Sequence, residues 1–171
     1  MGVQSSFGFT LGRMEKGKLN KITDVPGVRV GHVTRHEGGI NTGVTAILPH
    51  TGDTFHDKCP AASHVINGFG KSIGLVQVNE LGTIETPLLL TNTLSVGTAA
   101  TALVKYMLER NADIGCDTGT VNPMVFECND GHLNDIRGLH VTEQNALDAL
   151  ANAVDDFEEG AVGAGSGMSC Y

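Results

Sequence analysis

The chain is 171 residues long, 40% hydrophobic, 5% aromatic and free of tryptophan, enough for one domain with a buried core. Eleven basic residues against nineteen acidic leave a net charge of −8 with no Lys/Arg cluster, which argues against nucleic acid as a partner. No stretch approaches the ~20 consecutive apolar residues needed to cross a bilayer, and no apolar h-region marks a signal peptide, so a cytoplasmic protein without membrane contact is expected.

A core of Val, Ile, Leu and Ala with 23 glycines for tight turns fits layered α/β packing. In chain order, "ITDVPGVRVGHVT" (22–34) sets a Pro-Gly turn before alternating Val28 and Val30 and predicts a strand, with Gly31 read as a bulge. "TGVTAILP" (42–49) predicts a second strand, ended by its proline. In "SIGLVQVNE" (72–80), Ile73 and Leu75, then Val76 and Val78, predict a strand with a break in register. "TPLLLTNT" (86–93) and "TVNPMVFECND" (120–130) predict two further strands, the second running into a polar cluster.

Two helices stand out. "SVGTAATALVKYMLERNAD" (95–113) places Ala99, Leu103 and Met107 beside Ala100, Val104 and Leu108 on one broad stripe, with Asn111 near its C-cap. "TEQNALDALANAVDDF" (142–157) starts at Thr142, a good N-cap, and turns Leu147, Leu150 and Val154 to one face, with Ala146 and Ala151 beside them. Strands outnumber helices, and the helices are spaced to cover a sheet.

The motifs that suggest a cofactor or metal fail on spacing. "EGAVGAGSGM" (159–168) is glycine-rich, but Met168 stands where a dinucleotide fingerprint needs its third glycine, and no Gly-Lys-Ser/Thr follows. His32 and His36 flank a strand-like stretch, where a period of four does not converge, and His50, His56 and Cys59 lack a fourth ligand. Cys59, Cys116, Cys128 and Cys170 form no C-x-x-C pair and read as reduced thiols. Neither cofactor nor metal is expected.

"FECNDGHLNDI" (126–136) is the richest segment. Glu127 follows the apolar run "PMVF" at a strand end, with Asn129, Asp130, Asn134 and Asp135 close behind. A carboxylate so placed can hold a substrate ammonium, a charge-assisted bond contributing about 1.5–3 kcal/mol. An Asx-rich turn capping its own backbone explains the same composition. Spacing leaves both readings open.

"NKITDVPGVRVGHVT", "NTGVTAILP", "LLLTNTLSVG", "ECNDGHLNDIRGLHV" and "EGAVGAGSGM" occur in that order. Together they resemble the DmpA-type aminopeptidases, which include the β-aminopeptidases, over nearly all of residues 11–171. The resemblance implies a four-layer α/β/β/α sandwich, the DmpA/ArgJ-like fold, similar to N-terminal-nucleophile hydrolases. It further implies a precursor that cuts itself into an α and a β chain, the β chain beginning with the nucleophilic serine. Residues 1–171 would then be a single domain, the N-terminal part of a larger sandwich, with residues 1–10 flexible and no catalytic nucleophile of their own. Ser166 and Ser169 lack the family's scission context.

By the same resemblance Glu127 receives the free amine of a small peptide or amide substrate, with Asn129 and Asp130 beside it as substrate-binding candidates. Asn129 occupies a pocket position that carries Tyr in some relatives, so that hydroxyl is missing here. His132 reads as loop packing, and the glycine-rich segment as a strand leading towards the active centre. Partners implied are a C-terminal β chain of the same precursor and further copies in a homo-oligomer. A non-catalytic remnant acting in assembly and an ornithine-acetyltransferase-like acyl transferase are the alternatives.

Overall fold

A mixed sheet carries the molecule, and the computed structural model describes residues 12–169 of it. The expectation for residues 1–10, and Cys170, lie outside these. Arg29–Glu37 (β1) and Ile40–Leu48 (β2) form an antiparallel hairpin whose turn glycines, Gly38 and Gly39, have φ of 53° and 91°, values that L side chains avoid. Cys59–Pro60 (β3) pairs with Thr83–Ile84 (β5) in a small separate ladder. Ser72–Ile73 (β4), Leu88–Thr91 (β6) and Met124–Glu127 (β7) complete the main sheet in the order β1-β2-β6-β7-β4. β6 and β7 run parallel, which a crossover allows; the helix Val96–Arg110 (α2) supplies it.

Strand alternation decides what is buried. Val44, Ala46 and Leu48 of β2, Leu89 of β6 and Val125 of β7 face one way and form the main core with Ala99, Leu103 and other residues of α2. The helix Glu143–Ala151 (α3) adds Ala146, Ala149 and Leu150 to that core. The alternate residues Ile47, Leu88, Leu90 and Phe126 face the other way and are half-buried. At one end of this second face a short helix, Leu75–Leu81 (α1), packs Val78 with Ile84 and Met124. At the other, a 3-10 turn at Gly163–Gly165 is fixed by Gly163 N–H donating to Thr34 Oγ1 (2.8 Å) and Ala164 N–H to Thr45 Oγ1 (3.1 Å).

Both capping expectations hold. The Asn111 N–H closes α2 onto the Met107 carbonyl, and Thr142 opens α3 with its hydroxyl accepting from Asn145 N–H at 3.3 Å. Four others are corrected. Gly31 pairs in unbroken register with Ala46 and is no bulge; a Cβ there would lie 2.7 Å from Ala153 N and 2.9 Å from Ala153 Cα. Its missing side chain lets α3 and the chain after it approach the sheet.

Residues 75–81 are helical, not extended. Gly74, at φ 99°, turns the chain out of β4, and Gly82 closes the helix through its N–H to Val78 O. The apolar stripes are also narrower than their spacing suggests. Leu108 is exposed, and Val154 lies beyond the end of α3, bridged to Val30 and itself exposed. The glycine-rich segment is a 3-10 turn and not a strand. At Gly163 (φ 55°) a side chain would collide with Thr45 and His32, and at Gly167 with the Asn41 carbonyl.

One helix layer and one large sheet of the expected sandwich are thus present. Among the described residues the only other sheet is the two-stranded β3–β5 ladder, and no helix is long and apolar enough to cross a membrane.

Candidate ammonium-binding site

Glu127 is placed by ladders on both sides of its strand. β7 pairs Glu127 with Thr91 of β6 in parallel register, and Cys128 N–H donates to Thr91 O at 2.7 Å. On the other side Ser72 and Ile73 oppose Phe126 and Val125, and Glu127 N–H donates to Lys71 O at 3.1 Å. The backbone at Glu127 is therefore rigid, and its side chain emerges where the strand ends.

There it lines a cleft of about 590 Å³ between the 61–72 loop and the second face of the sheet. Leu75, Val78, Leu88, Met124 and Phe126 supply an apolar floor, and Lys71 joins Glu127 in the lining. Glu127 Oε2 is buried without a hydrogen-bond partner. A buried carboxylate oxygen left unpaired is costly, and an arriving cation removes that cost. Lys71, directly opposite across the β4–β7 ladder, makes no ion pair with it. Instead its ammonium donates to Phe69 O at 2.7 Å and lies 3.4 Å from the centre of the Phe69 ring.

Asn129 and Asp130 do not line this cleft. Asn129 Oδ1 accepts from Gly131 N–H at 3.0 Å, a local Asx turn, and its carbonyl accepts from Ser169 N–H at 3.4 Å. Asp130 is 1% exposed, its carbonyl accepting from Leu133 and Asn134 N–H. Burial pushes its carboxyl above the usual range, against the opposing pull of the Thr42 and Asn134 side chains. Neither of these reaches it in hydrogen-bond geometry, and both carboxyl oxygens stay unpaired. The turn reading of the sequence thus describes Asn129, while Glu127 stands apart with an open oxygen.

The rest of the loop is clamped to the β1–β2 hairpin. Asn134 Oδ1 accepts from Asn41 N–H (3.0 Å), Asn41 Nδ2 donates to Leu133 O (2.7 Å), and Asp135 N–H donates to Gly39 O (3.2 Å). His132 is exposed. Of the other histidines, His32 bonds Thr45 and the Glu158 carbonyl, and His56 sits between Asp53 and Asp113. Among the described residues no group of three or more His, Cys, Asp or Glu could hold a metal ion, and Cys59, Cys116 and Cys128 are unbridged. The sequence reading missed Lys71 and the Phe69 that holds it, because the place of Lys71 beside Glu127 depends on a strand pairing 56 positions apart in the chain.

Residues 20–171 match the profile of peptidase family S58. The chain belongs to that family. It is 38% identical to the beta-peptidyl aminopeptidase BapA of Sphingosinicella microcystinivorans over 165 residues, 91% of this chain and 40% of that protein. Its structure superposes on the PH0078 protein of Pyrococcus horikoshii OT3 with a TM-score of 0.94 at 55% identity, covering 97% of this chain and 50% of the other. A Burkholderia sp. beta-aminopeptidase gives 0.89 at 43% identity, with 98% and 48% covered.

The L-aminopeptidase D-Ala-esterase/amidase of Ochrobactrum anthropi, a variant of the Ntn hydrolase fold, gives 0.83 at 36% identity, with 94% and 47% covered. The sheet and helix layer of this S58 chain therefore belong to that fold. The chain spans 40% of the length of the curated relative and 47–50% of the solved ones.

Proposed function

We propose that this chain is the amine-recognising, α-chain part of a self-cleaving serine aminopeptidase or amidase that releases N-terminal residues from short peptides, amides or esters. One observation carries the reading: a carboxylate oxygen, Glu127 Oε2, buried and unpaired at the edge of an apolar cleft. A substrate α-amine, with a pKa near 8, is mostly protonated at neutral pH and supplies the missing partner. The apolar floor takes the group that follows the amine. In this reading Glu127 touches substrate, while Asn129 and Asp130 hold its loop.

The names of the relatives, beta-peptidyl aminopeptidase and L-aminopeptidase D-Ala-esterase/amidase, support the reaction class. Attack then comes from the N-terminal serine of a β chain cut from the same precursor, and no cofactor takes part. Residues 1–171 act as one domain of a larger sandwich, in a cytoplasmic homo-oligomer. Mass spectrometry of the processed protein should find a second chain beginning with Ser.

The site is tested by Glu127→Gln in the enzyme that contains the catalytic portion. kcat/KM for free-amine substrates should fall roughly ten- to hundredfold, the size of a charge-assisted bond, and the preference over N-acetylated substrates should vanish. An unchanged preference would overturn the assignment.

A further inference from the structure

Glu127 has a cation built in beside it, and the fold keeps that cation away. Lys71 precedes the first residue of β4 by one position, and its carbonyl accepts the Glu127 N–H at 3.1 Å. Directly opposed residues of an antiparallel pair project to the same side, about 5 Å apart at Cβ. Opposite charges in that position normally join. Here they do not: Glu127 Oε2 is unpaired, and the Lys71 ammonium rests on Phe69. Two contacts hold it there, a hydrogen bond to Phe69 O at 2.7 Å and the ring at 3.4 Å.

The Phe69 perch is itself fixed. Asn67 Oδ1 accepts from Phe69 N–H at 2.9 Å, and Gly70 N–H donates to Asn67 O at 3.3 Å. The Phe69 ring is 74% exposed, so it supports no core. Gly70 lies beside the carboxylate, and a Cβ there would stand 3.8 Å from Glu127 Oε1. The turn 67–71 therefore reaches the site with its smallest residue and holds its cation on Phe69.

We propose that Phe69 is a positioning residue that parks Lys71, keeping an internal competitor off Glu127 so that the carboxylate stays vacant for a substrate ammonium. The inference rests on the reading of Glu127 as the amine receiver. Freed from Phe69, Lys71 would swing to Glu127 and compete with substrate within the same molecule.

The test is a cycle of variants in the enzyme that contains the catalytic portion, assayed on a free-amine amide substrate. Phe69→Leu should raise KM about two- to fivefold, the range expected for a partly exposed cation–ring contact, with kcat unchanged. Lys71→Gln alone should leave KM unchanged or lower it. The double variant should behave as Lys71→Gln, the second change rescuing the first.

If Phe69→Leu is silent, or its rise in KM survives in the double variant, the parking role is wrong. If Lys71→Gln by itself raises KM, the lysine binds substrate and does not compete with it. Adding Glu127→Gln separates the two claims. A Phe69→Leu effect that persists without the carboxylate refutes the parking role, whereas loss of free-amine preference in Glu127→Gln is scored on its own.

Discussion

His32 and His56 illustrate how neighbours set a side chain's charge. His56 Nδ1 lies 2.5 Å from Asp53 and Nε2 3.0 Å from Asp113. Those hydrogen bonds raise its pKa above the ordinary 6.5. The folded state therefore binds the proton more tightly than the unfolded one. The resulting stabilisation is complete below 6.5 and is lost as pH rises through the higher folded value. His32 is the reverse case, because burial lowers its pKa below 6.5 despite the opposing Glu158 carbonyl.

A carbonyl only accepts, so His32 Nε2 carries the hydrogen towards Glu158 O, and Nδ1 is left to accept from the Thr45 hydroxyl. Its contribution is present above 6.5 and is lost as pH falls through the depressed value. An NMR titration of the two imidazoles should place the His56 inflection above 6.5 and that of His32 below it. The opposite order would contradict both environments. Asp130, pushed upward by burial, loses its contribution as pH rises through its folded value. Asp130→Asn should accordingly flatten the decline of stability between pH 3.8 and that folded value in urea titrations.

At the scale of elements, close packing of helix on sheet is the constraint to test. Gly31→Ala would press a methyl group against the backbone at Ala153, which should cost about 1–3 kcal/mol and lower the urea midpoint. An unchanged midpoint would show that α3 can back away. The long elements were legible because their patterns are unambiguous. β2 buries Val44, Ala46 and Leu48 in alternation, and α2 buries Ala99, Leu103 and Met107 along one face.

α1 was not legible. Seven residues fit period 2 and period 3.6 alike, and only the left-handed Gly74 and Gly82 decide between them. The bulge assigned to Gly31 failed for a related reason, since the spelling of a strand does not reveal what packs on it. In the candidate site, Glu127 could be singled out as a candidate because a carboxylate ending an apolar strand is visible in one dimension. The diversion of Lys71 could not, because it depends on which distant segment pairs with β7.

At the scale of the whole molecule the two sides of the sheet differ. α2 and α3 cover one, while on the other Leu90 and Ile47 are left half-buried between α1 and the glycine turn. Ile66, Phe69, Val76 and Leu81 are more than half exposed around the same edge. Such a surface favours association. The 171-residue polypeptide purified by itself should therefore self-associate in light scattering and bind a hydrophobic dye. A monodisperse monomer that melts cooperatively would contradict this.

Glu127 carries the functional account, and its vacancy can be observed directly. A crystal structure of the processed enzyme with an uncleavable free-amine peptide should show the ligand nitrogen about 2.7–2.9 Å from a Glu127 oxygen, with Lys71 still on Phe69. An amine bound elsewhere, with Lys71 seated on Glu127, would contradict the account.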